Sequence, residues 1–371
     1  MELSLTKEQE MLKDVARSFL EKECPRELVR RMEEDERGYS PELWKKMAEL
    51  GWMGLPFPEE YGGTGGDFVD LVILIGEMGR VLLPAPFIPT VVSGGISVFK
   101  YGSETQKKEI LPKISSGELI TTFAFTEPSL SLEEEKLETR AERVGENFSL
   151  RGTKLFVQDA HVSDLILCPA RTEEGTALFM LGNPREGLKI TPLKMLSGEK
   201  YCEVILEGVP ASEKDVLGEI GEGWGITEAS RLFTTTALCA YVNGAARKVL
   251  EMSVEYAKER VQFGRQIGSF QAVAHKCSDM VIAIDASDYL TWRASWKLAK
   301  DMPARMDVSM AKAWVSDVLK RVWMEGIRVH GGVAIMEDHD MPLYFRRGKI
   351  WELFLGDGDY HWEVVARELG L

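Results

Sequence analysis

Cysteine is scarce and unpatterned in this chain of 371 residues: Cys24, Cys168, Cys202, Cys239 and Cys277 are odd in number and nowhere form a CxxC pair. That spacing argues against a disulfide framework or a cysteine zinc site and points to reduced thiols. Long apolar runs are missing too, since none approaches the ~20 residues a membrane-spanning helix needs. Positive charge is in deficit. Lys and Arg number 45 against 59 Asp and Glu, a net charge of −14, which disfavours nucleic acid and anionic membrane as main partners. An anionic ligand must then be held by local cations, because the overall field repels it. The opening Met1-Glu2-Leu3-Ser4-Leu5-Thr6 has no basic stretch leading into an apolar one, so the expectation is a cytoplasmic protein.

What is present is enough apolar residue, 44% of the total, and enough length for two or three domains with a large core. Residues 1–118 read as helical. Thr6 and Gln9 suggest a capping box ahead of Leu12, Val15, Ala16, Phe19 and Leu20 at helical spacing. A second helix is expected from Pro41 to Gly51, and an apolar one from Asp67 to Leu83. Residues 119–222 change period: short β-rich runs at 119–125, 148–151, 155–158, 165–170 and 203–206 alternate with Gly, Pro or Asn turns. From residue 223 the pattern is helical again, with long helices expected at 226–260, 270–299 and 307–329, interrupted by Pro303.

Short motifs recur in order along these zones. Glu59-Glu60-Tyr61-Gly62-Gly63 with Gly65-Gly66 is a glycine-rich loop, and Thr126-Glu127-Pro128 ends a strand. Gly152-Thr153-Lys154-Leu155-Phe156-Val157-Gln158 is a strand with an aromatic near its end. Glu259-Arg260-Val261-Gln262-Phe263-Gly264-Arg265-Gln266-Ile267, then Phe270-Gln271, closes one long helix and opens the next. His330-Gly331-Gly332 follows, and the tail holds Arg346-Arg347-Gly348-Lys349-Ile350-Trp351-Glu352-Leu353-Phe354-Leu355-Gly356. Alone, the glycine-rich loop and the Phe156 strand read equally well as a plain turn and a core strand, and Thr126-Glu127-Pro128 is a short match; the Arg260 segment is the most specific, matching as a whole rather than as a salt-bridged helix end. Together, over essentially the whole chain, they resemble the acyl-CoA dehydrogenase family.

That resemblance implies an α+β multi-domain fold: an N-terminal helical domain (1–118), a central antiparallel β-domain (119–222) and a C-terminal four-helix bundle (223–371) that also joins subunits. It implies FAD as cofactor and an acyl-CoA thioester as substrate, with electron-transferring flavoprotein as the usual acceptor. Thr126 would reach the flavin's pyrimidine side, with Phe123 presenting aromatic surface on the same strand as Phe125. Phe156 would pack on the ring, and Gln158 would bond it where the family has threonine. Arg260, Gln262, Phe263 and Gln271 would reach across a subunit interface to a neighbour's FAD, with the arginine on its diphosphate. Gly331 and Gly332 would let backbone approach that flavin closely, and Arg328 stands where a glutamine is usual.

The chain also departs from the pattern. In much of the family a glutamate before the last glycine of the tail signature removes the α-proton, and here that place is Leu355. The other position used for this glutamate, on the first bundle helix, is Thr234, within Thr234-Thr235-Thr236. Ser129-Leu130-Ser131-Leu132 and Glu133-Glu134-Glu135 replace small residues and a Ser-Asp pair, and Gly356-Asp357-Gly358-Asp359 replaces flavin-bonding Thr and Gln. Most departures fall in the half-site a subunit builds for itself, while the half supplied to a neighbour largely survives. Some members that act on bulky substrates, such as steroid side chains, pair a base-bearing with a base-less subunit, and this chain resembles the latter. Three readings stay open here: such a subunit within a tetramer or dimer, an active homo-oligomer whose base has moved, with Asp357 and Asp359 nearest, and a non-redox scaffold or acyl-CoA-binding protein.

Overall fold

The computed structural model describes residues 4–371. Several of its helices begin where side chains satisfy otherwise unpaired amides. Thr6 and Gln9 close the expected capping box over α1 (Lys7–Glu23), and α2 (Arg26–Glu34) follows. Ser40 caps α3 (Pro41–Glu49), whose proline sits in the first turn, where no donor is required. Apolar α4 (Phe68–Val81), a π-helical segment Ile88–Ile96, short α5 (Ser97–Tyr101) and α6 (Glu104–Ser115) complete this run.

Among the described residues one sheet of eight strands occupies the middle of the sequence. Its strands are β1 (Thr121–Phe123), β2 (Arg140–Val144), β3 (Asn147–Gln158), β4 (Leu165–Thr172), β5 (Gly175–Gly182), β6 (Leu188–Leu193), β7 (Tyr201–Ser212) and β8 (Val216–Leu217). They lie in the order β6-β7-β3-β2-β4-β5-β8, with β1 beside β4. The β-domain expected from sequence is present, but its sheet is mixed, because β1–β4 and β2–β4 run parallel. No hairpin joins those strands in sequence, so parallel pairing is open to them. Phe148 and Phe179 meet edge-on at 5.3 Å in its core, beside Leu150 and Leu206.

The remaining chain is α7 (Gly223–Glu259), a two-stranded hairpin of β9 (Val261–Gln262) and β10 (Arg265–Gln266), then α8 (Gln271–Ala299), α9 (Arg305–His330), α10 (Met341–Leu353) and α11 (Gly358–Glu368). Pro303 falls in the break between α8 and α9, as expected. The backbone divides into two compact units. One holds residues through Arg30, Phe68–Leu83 and Thr235–Leu371; the other holds Arg31–Asp67 and Pro84–Thr234.

Within the first unit α9 packs on α8, α10 and α11, while α4 packs on α1 and α8. A Cβ on Gly79 would lie 1.8 Å from the Tyr241 carbonyl oxygen, so glycine is what lets α4 approach α7 there. The carbonyls at the end of α4 are taken by side chains. Arg26 donates to Val81 O at 2.6 Å, Tyr344 to Arg80 O at 2.6 Å and Arg347 to Leu82 O at 2.8 Å. These bonds stand in for the missing next turn and tie α10, which leads to Leu355, to α4. Within the second unit, Trp44 of α3 donates to Gly117 O at 2.9 Å. No helix among the described residues is long and apolar enough to cross a membrane.

Candidate functional site

In the second unit the chain after β1 is pulled against β3. Leu155 N donates to Thr126 O at 2.9 Å, and Thr122 Oγ1 donates to Gln158 O at 2.6 Å. Thr126, Phe156 and Gln158 therefore lie along one short stretch, with Phe123 on the adjoining strand. Phe123 and Phe125 stack on each other, ring centroids 4.0 Å apart and 6° from parallel. Phe156 sits at a bulge with φ of 53°. A left-handed aromatic costs on the order of 1–3 kcal/mol, and such strain concentrates at functional positions. The Gln158 amide donates to the Tyr201 hydroxyl at 3.1 Å.

Behind this stretch lies a buried ion pair that the sequence reading passed over. Lys154 Nζ lies 2.7 Å from Glu127 and donates also to Pro169 O at 2.9 Å. Burial pushes the Glu127 carboxyl up, but Lys154, Thr139 and the Glu138 amide outweigh it and hold the group below its ordinary value. Next in the chain to Gln158, Asp159 is pushed up to about 7 by burial and by Glu199.

In the first unit the hairpin carries the second set. Register pairs Arg265 with Gln262 and Gln266 with Val261, and Ile267 N donates to Arg260 O at 2.8 Å. At its tip Phe263 holds φ of 53° and is 93% exposed. Arg260, Gln262 and Gln271 are exposed beside it. At the end of α9, Gly331 has φ 68° and ψ −146°, which suits glycine alone. A Cβ on it or on Gly332 would meet nothing within 4 Å, so this backbone is open to approach. Arg328 is drawn aside: it bonds Glu325 at 2.5 Å, and Glu325 also takes Lys276 at 2.6 Å. His330 is buried, its Nδ1 2.8 Å from Gly326 O, and burial lowers its pKa. That is the surroundings of a packing residue.

The tail after α10 is locked. Leu355 is 3% exposed with φ of 61°, and its carbonyl lies 3.0 Å from His361 Nε2. Lys312, buried and pushed down to about 8 by desolvation, donates to Trp351 O at 2.7 Å and Glu352 O at 3.0 Å, closing the end of α10. Asp357 accepts from Tyr360 N at 2.9 Å and so caps α11. Thr234, in the second unit, donates to Ser230 O at 2.8 Å and meets Ser93 Oγ at 2.9 Å. Asp357→Ala is expected to lower stability by about 1 kcal/mol through loss of the cap, without changing flavin reduction in the assembled protein. Chemical denaturation and an acyl-CoA titration check the two halves of that statement.

Residues 6–118, 122–209 and 221–370 match, in order, the N-terminal, middle and C-terminal domains of acyl-CoA dehydrogenase. A probable acyl-CoA dehydrogenase, YngJ of Bacillus subtilis (strain 168), is 30% identical over 100% of both chains. Butyryl-CoA dehydrogenase from Megasphaera elsdenii superposes with a TM-score of 0.93 at 26% identity, covering 100% of both chains. A chain of the ChsE4-ChsE5 complex from Mycobacterium tuberculosis gives a TM-score of 0.92 at 27% identity, over 100% of this chain and 99% of that one. The chain thus belongs to the acyl-CoA dehydrogenase family, as an acyl-CoA dehydrogenase-like flavoprotein with FAD as its cofactor.

Proposed function

We propose that this chain is the base-less subunit of a hetero-oligomeric acyl-CoA dehydrogenase. Its hairpin and its Gly331-Gly332 turn complete a flavin site held mostly by a second, glutamate-bearing subunit. The observation that carries this reading is Leu355, an apolar, buried side chain where the family's base is expected, on a backbone held by His361. Asp357, the nearest acid, is committed to capping α11. The two-subunit ChsE4-ChsE5 complex is a precedent for unlike chains on this fold.

The residues fit the cofactor. Phe263, exposed on a braced hairpin, offers a face to a planar ring, and Arg260 beside it offers charge to a diphosphate. Gly331 and Gly332 leave room for backbone to come close. When bound, FAD supplies the acceptor for a hydride from the β-carbon of an acyl-CoA thioester, while a partner carboxylate takes the α-proton. This chain binds and orients; it removes no proton. Electron-transferring flavoprotein is the proposed acceptor, and residues 1–118, 119–222 and 223–371 are the proposed domains. Arg260→Ala should weaken FAD retention in the assembled complex by roughly 1.5–3 kcal/mol, the value of a charge-assisted contact. Flavin content after gel filtration measures it, and unchanged content would refute the assignment of Arg260.

A further inference from the structure

The hairpin carries a second arginine that the motif comparison leaves without a task. Arg265 places its guanidinium carbon 4.0 Å over the Phe270 ring, and Phe263 meets the same ring edge-on at 6.2 Å. A guanidinium seated on an aromatic face keeps its in-plane N–H donors free for an anion while its orientation is fixed. Among the described residues neither Arg260 nor Arg265 has a carboxylate partner. Arg17, Arg26, Arg80 and Arg247 of the same unit all do. Two uncompensated cations on one short hairpin are unusual in a chain of net charge −14. They mark a place where positive charge is kept available.

The hairpin is built to hold them. β9 and β10 pair with Arg265 opposite Gln262, and the bond from Ile267 N to Arg260 O at 2.8 Å closes the base of the loop. Gly268 lies against α7, where a Cβ would stand 2.9 Å from Ala257 O. The platform under Arg265 is therefore anchored on both sides.

We propose that Arg265, seated on Phe270, is a second diphosphate-gripping residue, so that Arg260 and Arg265 together select a dinucleotide diphosphate over a monophosphate. This rests on the reading that the hairpin meets a neighbour's FAD. The distinction is one of spacing rather than total charge: FAD presents two linked phosphoryl groups, one to each cation, whereas FMN carries a similar charge on a single phosphoryl group that two separated cations cannot both grip.

The test uses the full chain assembled with its partner subunit, stripped of flavin, with FAD and FMN titrated by fluorescence quenching. Arg265 is exposed, so Arg265→Gln is not expected to disturb folding. FAD affinity is expected to fall roughly tenfold and its salt dependence to flatten, with FMN affinity little changed. Phe270→Leu, which keeps the cation and removes its seat, should give a smaller loss, and Arg265→Lys an intermediate one. Unchanged FAD affinity in Arg265→Gln, while Arg260→Ala weakens it, would overturn the proposal alone. If neither variant changes FAD affinity, the hairpin does not meet the flavin and the reading beneath fails as well. Equal losses for FAD and FMN would also overturn it, because the second cation would then confer no selectivity.

Discussion

Assayed alone with an artificial electron acceptor, the chain is expected to oxidise acyl-CoA thioesters at no more than roughly a hundredth of the rate of its complex with a glutamate-bearing subunit, the size of a missing general base. Leu355→Glu should not restore the rate. The new carboxylate would replace a leucine that is 3% exposed, at φ of 61°, and desolvation would favour its protonated form. A protonated carboxyl cannot remove the α-proton. The flanking Asp357 and Asp359 also put negative charge where the family bonds its flavin. Assay of wild type and Leu355→Glu, each with and without the partner, measures this. Substantial turnover by Leu355→Glu alone would mean that only the base had been lost.

The second large effect is on stability. Lys154→Met leaves Glu127 buried without its cation, which should cost roughly 3–5 kcal/mol. The remaining bonds from Thr139 and the Glu138 amide soften but do not remove that loss. The pH dependence follows from the sign of the shift. Glu127 is held below its ordinary value of 4.5 in the folded protein. Its contribution is therefore complete above that value and is lost as pH falls through the lower, folded one. The difference between wild type and Lys154→Met should be largest near neutral pH and should shrink on acidification. Urea titrations at several pH values measure it, and a difference that does not change with pH would mean that Glu127 is not the charge concerned.

Much of the architecture was legible because it is carried by local chemistry. The Thr6–Gln9 box and the Ser40-Pro41 start are set by residues adjacent in sequence, and α7, α8 and α9 by long periodic patterns. Strands β2, β5, β6 and β8 were not read, for different reasons. In β2 only Ala141 is buried among charged neighbours, so no alternation shows. β5 is buried on both faces and reads as a plain apolar run. β6 contains Pro192, tolerated because the strand lies at the sheet edge. The parallel pairings of β1 and β2 depend on contacts distant in sequence.

The candidate site divides in the same way. The hairpin was readable because Arg260 to Ile267 is one contiguous segment. The Glu127–Lys154 pair joins residues from two motifs, and nothing in either reveals the bond. Arg265 stood inside the motif, yet only the position of Phe270 beneath it gives it a task. Arg328 shows the converse: its place in the motif suggested the cofactor, while Glu325, one turn earlier, holds it.

The claim that this subunit has no base of its own is tested most directly by anaerobic addition of a panel of acyl-CoA thioesters to the isolated chain supplied with FAD, following the flavin's visible absorbance. The account predicts that the supplied flavin stays oxidised without a partner and bleaches when a glutamate-bearing subunit is added. Rapid bleaching of the isolated chain would contradict it and place a working base within these 371 residues.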